Sequence, residues 1–293
     1  MTLRTLLSGL ACIGFVACAG AQSDLGEAPS ATLADVQASP DAWRVAEPEN
    51  LVLIDTSVGE IIVELLPEVA PTHVAQFRNY VQAGLYDSTV FHRVIKGFMA
   101  QGGDVETTHG REALLGQMQS EFTFRSDPKT FSIDPIGHAD SASNGFYKGF
   151  PIQSVAQFMA EMSFDGKVET WMPHCEGVLS TARTGDPNSA DAQFFMISDD
   201  GRHLDRAYTA KGRVLVGLDV VKAIKLGPVP DGAPISNPDV LRSAVLFADI
   251  PEADRPTVYV QRTNTPEWAA LLQAADNAGA DICDLPAVPV VVE

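Results

Sequence analysis

The segment from Phe91 to Asp104, FHRVIKGFMAQGGD, constrains this chain more than any other. A run with β-branched residues meets a single glycine at Gly97, and a second apolar run ends in Gly102-Gly103. This is the pattern of two short strands that bend at Gly97 and pack closely at the glycine pair. Side chains alternate along strands, so a bend at Gly97 lets Arg93, Phe98, Met99 and Gln101 face one surface. The result is a cation beside an apolar patch. The Gly-Gly pair is not a dinucleotide fingerprint, because the GxGxxG spacing is absent and no helix is expected to follow.

The same style of short strand and glycine punctuation recurs along the chain. Residues 51–66 give two β-branched runs split at Ser57-Val58-Gly59, a hairpin signal. Pro71 opens a helix over 71–82, with Val74, Phe77, Tyr80 and Val81 at helical spacing and Gly84 as a stop. His73 reads as a solvated side chain of its first turn. Residues 126–172 carry Phe131, Phe146, Phe150, Phe158, Phe164 and Trp171, too aromatic for a disordered linker, and read as an ordered insertion with a helix near 152–162. Strands are predicted again at 177–180, 193–197, 212–216 and 241–250, with a short helix over 218–224. Beyond Pro251 a strand at 257–261 and a helix over 266–277 form an extension too short to fold alone, which is expected to dock on the main domain.

Composition decides the remaining classes. A formal charge of -18 excludes a nucleic-acid or anionic-membrane surface as the main partner, since such faces need clustered Lys and Arg. The first 21 residues place Arg4 before an apolar run of signal-peptide length that ends in Ala19-Gly20-Ala21. Cleavage after Ala21 is the first expectation, giving a periplasmic or secreted protein. Val16-Ala17-Cys18 offers the alternative of a lipoprotein anchored at Cys18, the one route to a membrane. Residues 22–48, rich in Ala, Ser, Pro and Asp, read as a flexible tether. The remaining cysteines, Cys175 and Cys283, are an even pair in an oxidising compartment, so a disulfide and two unpaired structural thiols both stay open. His174-Cys175 has no second pair at metal-ligand spacing.

The Phe91–Asp104 block resembles the cyclophilin signature FHRxIxxFMxQGGD. A second family block, GxLSMANxxxNxxxSQFF, is similar to residues 177–195, and a third, WLDxxHxxFGxV, to the more divergent residues 203–214. The resemblance spans about residues 49–250. It implies a mainly β fold, a closed eight-stranded antiparallel barrel capped by two helices, here with the aromatic-rich insertion and the C-terminal extension over 251–293. It also implies peptidyl-prolyl cis/trans isomerase activity on proline-containing polypeptides, with no metal or organic cofactor. A monomer is expected.

Matched position by position, the resemblance makes Arg93 the catalytic arginine. Phe98, Met99, Phe195 and Leu204 would shape the proline pocket, and Gln101 and Gln193 would bind substrate backbone. Ala182 and Arg183 would meet the residue before proline, with Arg183 standing where the family has Asn. His203 stands where many members carry Trp, and Tyr208 where many carry His. Two other readings compete. One is a catalytically weak chaperone or peptide-binding module of the same fold. The other is a hydrolase assembled from Ser180, His92 and Asp104, which lacks a GxSxG elbow; His92 reads as structural.

Overall fold

The computed structural model describes residues 30–138, 143–199 and 201–293; the predicted leader, with Cys12 and Cys18, lies outside them. In chain order the regular elements begin with α1 (Leu33–Ala38), β1 (Trp43–Val45), β2 (Leu51–Thr56), β3 (Glu60–Leu65), α2 (Pro71–Gln82), β4 (Arg93–Ile95), β5 (Met99–Gly102) and α3 (Val105–His109). The insertion contributes β6 (Phe124–Ser126), β7 (Asp134–Pro135), β8 (Asn144–Tyr147), β9 (Phe150–Ser154) and β10 (Val168–Trp171). Then follow β11 (Val178–Thr181), β12 (Phe194–Ile197), β13 (Thr209–Val216), α4 (Leu218–Ala223), β14 (Leu241–Leu246), β15 (Val258–Gln261), α5 (Pro266–Ala278) and β16 (Val290–Val292).

Eight strands form one curled antiparallel sheet in the order β14-β2-β3-β13-β11-β12-β5-β4. Its two faces follow from strand alternation. Ile61, Val63 and Leu65 point inward with Val94, Ala100, Phe194 and Met196, where Val74, Phe77, Tyr80 and Val81 of α2 close over them. Ile62, Met99, Phe195 and Ile197 point to the other face. The β2–β3 turn is closed by Thr56, whose hydroxyl donates to the Gly59 carbonyl at 2.7 Å and accepts from the Val58 and Gly59 amides.

The closed barrel implied by the family resemblance is not formed as a continuous ladder. The sheet is open between β14 and β4, and their flanks meet at a single bridge, Val90 with Val240. Val94 shows why. Its amide donates to the Gly232 carbonyl at 2.9 Å and its carbonyl accepts from the Gly227 amide at 3.0 Å, so the loop after α4 occupies the edge that β14 would have to pair. Gly227 is required for that approach, because a Cβ there would lie 1.8 Å from the Gly232 oxygen.

The outer face of the sheet carries a second layer. The insertion is a five-stranded antiparallel sheet, β6-β10-β9-β8-β7, and a three-stranded sheet joins β1, β15 and β16. Phe146 and Phe150 of the insertion and Trp268 and Leu272 of α5 share one buried cluster with Ile62 and Phe195. Arg44 of β1 forks onto Glu64 of β3 at 2.6 and 2.7 Å, which ties this layer to the eight-stranded sheet.

Four expectations need correction. The segment after Gly102-Gly103, where no helix is expected, forms the short helix α3, with the Asp104 side chain as its N-cap. The segment read as a tether is ordered from α1 onward: Val36 and Trp43 pack with Val291, and β1 pairs β15 with Trp43 opposite Gln261. Val291 and β15 lie more than two hundred residues away, beyond any local periodicity. The helix predicted over 152–162 is instead the end of β9 followed by a 3-10 turn over Gln157–Met162. Ile152 is fully buried opposite Gly145 in a ladder, while Phe158, Met159 and Met162 stay exposed, so that run lacks the packed apolar face that stabilises a helix. His73 is not solvated: it is 1% exposed and bonds the Thr181 hydroxyl and the Gln119 carbonyl, both at 3.0 Å.

Candidate active site

The sheet register brings the predicted residues together. Arg93 of β4 lies opposite Gln101 of β5, and Gln101 opposite Phe195 of β12, so three side chains from three adjacent strands share the outer face. Gly97, with φ 67°, supplies the left-handed turn between β4 and β5. From this row a cleft of about 220 Å³ opens, lined by Arg93, Phe98, Met99, Gln101, Ala182, Arg183, Phe195, His203, Leu204 and Tyr208. Gln193 stands just outside it and lines an adjoining cavity of about 290 Å³, which shares Gln101, Ala182 and Arg183 with the cleft.

The cleft has an apolar floor and a polar rim. Met99, Phe195 and Leu204 are buried, while Arg93, Gln101 and Gln193 are partly exposed. Arg93 Nη1 donates to Gln101 Oε1 at 3.2 Å, and Gln101 Nε2 donates to Gln193 Oε1 at 2.9 Å. Arg93 Nε donates to the Asp231 carbonyl at 3.0 Å. Among the described residues, two of the five guanidinium N–H groups are thus held by protein. Asp231 was invisible to sequence reasoning because it acts through its backbone; only its place in the loop that caps β4 explains its role.

The second wall departs from the family pattern and is internally consistent. The His203 and Phe98 rings lie 4.9 Å apart, and Tyr208 meets Phe195 edge-on at 5.7 Å. Arg183 stacks over Tyr208 with 4.4 Å to the ring centre, and its Nε and Nη2 donate to the Ala207 carbonyl at 3.0 and 2.9 Å. Cation and ring therefore hold each other at the two positions where the resemblance implies Asn and, in many members, His. Behind this wall, fully buried His174 faces Phe195 in a stacked orientation and its Nδ1 donates to Asp205 at 3.1 Å. Burial opposes ionisation of Asp205, but the bonds from His174 and Arg202 hold it below the ordinary carboxylate range.

The hydrolase grouping is not assembled. Among the described residues, the Ser180 hydroxyl and His92 Nδ1 are buried without hydrogen-bond partners, and the Asp104 carboxylate caps α3 through Thr107. Cys175 is joined to Cys283 in a disulfide, which settles the pairing that the sequence left open.

Residues 51–245 match the family model described as cyclophilin type peptidyl-prolyl cis-trans isomerase. A probable peptidyl-prolyl cis-trans isomerase of Brucella suis is 36% identical over 204 residues, 70% of this chain and 86% of the relative. A peptidyl-prolyl cis-trans isomerase of Acinetobacter baylyi is 30% identical over 180 residues, 60% of this chain and 71% of that one. Among solved structures, the crystal structure of cyclophilin AquaCyp293 from Hirschia baltica superposes with a TM-score of 0.83 at 46% identity, covering 90% of this chain and 98% of that chain. That coverage reaches beyond the family match at residue 245, so the likeness includes a large part of the outer layer.

Proposed function

The chain belongs to the cyclophilin-type peptidyl-prolyl cis/trans isomerase family and is an isomerase of that class, and from this premise we propose how its cleft works and where. Rotation about an X-Pro bond must break amide resonance, over a barrier of about 18–20 kcal/mol, and takes tens to hundreds of seconds unaided. No nucleophile is needed. A proline ring held against Phe98, Met99, Phe195 and Leu204 is fixed while the other half of the amide turns. Arg93 donates its unused N–H groups toward the prolyl nitrogen and carbonyl, favouring the twisted, pyramidal amide over the planar one. Gln101 and Gln193 bond the flanking backbone, and Ala182 and Arg183 meet the residue before proline.

The observation that carries this reading is the Arg93–Gln101–Gln193 chain of hydrogen bonds along one rim of an apolar cleft. Proline-containing segments of folding envelope proteins are the proposed substrates, reached after cleavage behind Ala21. The Cys175–Cys283 disulfide supports an oxidising compartment. The proposed working form is a monomer. A protease-coupled assay on an Ala-Pro-Phe peptide tests the mechanism: Arg93→Ala should lower turnover at least about tenfold, and near wild-type turnover in that variant would remove Arg93 from its central role.

A further inference from the structure

His203 and Leu204, two residues of the cleft wall, lie on a tight turn whose ends are both tied to His174. The Gly201 amide donates to the His174 carbonyl at 3.0 Å, and at the other end Asp205 Oδ1 accepts from the His174 amide at 2.7 Å and from its ring. Inside the turn, Arg202 spreads its guanidinium over three parts of the molecule. Nε donates to Asp205 Oδ2 at 2.6 Å, Nη2 donates to Gln153 Oε1 of the insertion at 2.7 Å, and Nη1 donates to Asp281 of the C-terminal extension. Two residues after Asp281, Cys283 is bonded to Cys175, the neighbour of His174. The segment 281–283 therefore grips the turn from both sides, by an ion pair through Arg202 and by a covalent bond beside His174.

We propose that the C-terminal extension is a positioning element of the isomerase cleft, acting through Arg202. Asp281 and the disulfide hold the turn so that Leu204 stays in the apolar floor and His203 stays against Phe98. The inference rests on the isomerase reading of the cleft and adds to it a dependence on residues outside the family match. Arg202 does not line the cleft. Its planar fork serves Asp205, Gln153 and Asp281 in fixed directions, a geometry that a lysine, with its compact ammonium, cannot reproduce. Small displacements of a positioned wall carry large kinetic consequences, and a wall that only holds the proline ring should express them in binding before rotation.

The test measures kcat and KM for isomerisation of a short Ala-Pro-Phe peptide in the full mature chain, with thermal unfolding and the His203 ring proton shifts recorded on the same samples. Arg202→Ala is expected to raise KM about fivefold and leave kcat within about twofold, with the His203 signals shifted. Asp281→Asn, which leaves the turn's own bonds intact, should raise KM about threefold, and the paired Cys175→Ser, Cys283→Ser variant should do the same. Arg202→Lys should recover only part of the loss. KM within about 1.5-fold of wild type in both Arg202→Ala and Asp281→Asn, with both folded, would overturn the proposal. So would a loss that tracks the unfolding midpoint with His203 unshifted. Absence of turnover in the wild-type control would instead overturn the isomerase reading itself, and is told apart because it appears before any substitution.

Discussion

In the cleft, Arg93 faces Gln101 across one short hairpin, whereas in the layer behind it Trp43 pairs with Gln261 and Cys175 is bonded to Cys283 at a separation of 108 residues. The cleft's polar groups are partly exposed and bond one another. Where that layer meets the eight-stranded sheet, polar groups of β3 and β13 are buried: Glu64 is 4% exposed beneath Arg44, and Arg213 is pushed down to about 10 by burial, with Glu64 partly opposing the shift and its guanidinium over Phe150. The difference teaches that the Arg93–Gln101 pair at the centre of the cleft is written locally, in strand alternation and one glycine turn. The support that holds it depends on closing long loops, and its contacts appear only when distant segments meet.

The comparison breaks most visibly at Trp268, whose ring is 4% exposed and meets Phe146 edge-on at 5.5 Å. Trp268→Ala should cost about 3–5 kcal/mol of unfolding free energy in urea, because it empties the joint between α5 and the insertion. A cost near zero would mean that the layer is not packed as a continuous core.

Lys211 sharpens the contrast from the side of the eight-stranded sheet. It is fully buried over the Phe77 ring at 4.3 Å, donates to Thr181 at 3.0 Å, and burial pushes its ammonium down to about 7. The folded pKa lies below that of the unfolded chain, so between about pH 7 and 10 the unfolded state binds more protons and stability rises with pH; below 7 the full penalty is present. Lys211→Met should therefore stabilise the protein at pH 7 by on the order of 3 kcal/mol, with the gain shrinking toward pH 10. Denaturation of both proteins at pH 7 and pH 9 checks this, and a gain independent of pH would contradict it. The smallest effect is expected at Thr265, whose hydroxyl caps α5 by accepting from the Trp268 amide at 3.4 Å. Thr265→Ala should cost about 1 kcal/mol or less in the same urea titration, and a loss as large as that of Trp268→Ala would assign Thr265 more than a cap.

What the sequence made legible follows the same division. The β2–β3 hairpin, α2, the Gly97 turn and the row from Arg93 to Phe195 could be read from alternation, helical spacing and family motifs. The order in residues 33–45 could not, because α1 and β1 are stabilised by Val291 and β15 rather than by their own pattern. The open edge between β14 and β4 was hidden in backbone bonds of Val94, which no side chain announces. His73 looked like a first-turn surface residue because its partners, Thr181 and Gln119, come from other parts of the chain. Arg202 carried no signal at all, since its importance is the convergence of Gln153, Asp205 and Asp281.

The central claim, that the apolar floor binds and Arg93 turns the amide, is tested most directly by exchange NMR on an Ala-Pro peptide, reading affinity and isomerisation rate from one sample. For Arg93→Ala the account predicts a bound-state exchange rate lower by about 100-fold with affinity changed by less than about threefold. An exchange rate that is unchanged, or that falls only in step with affinity, would contradict it.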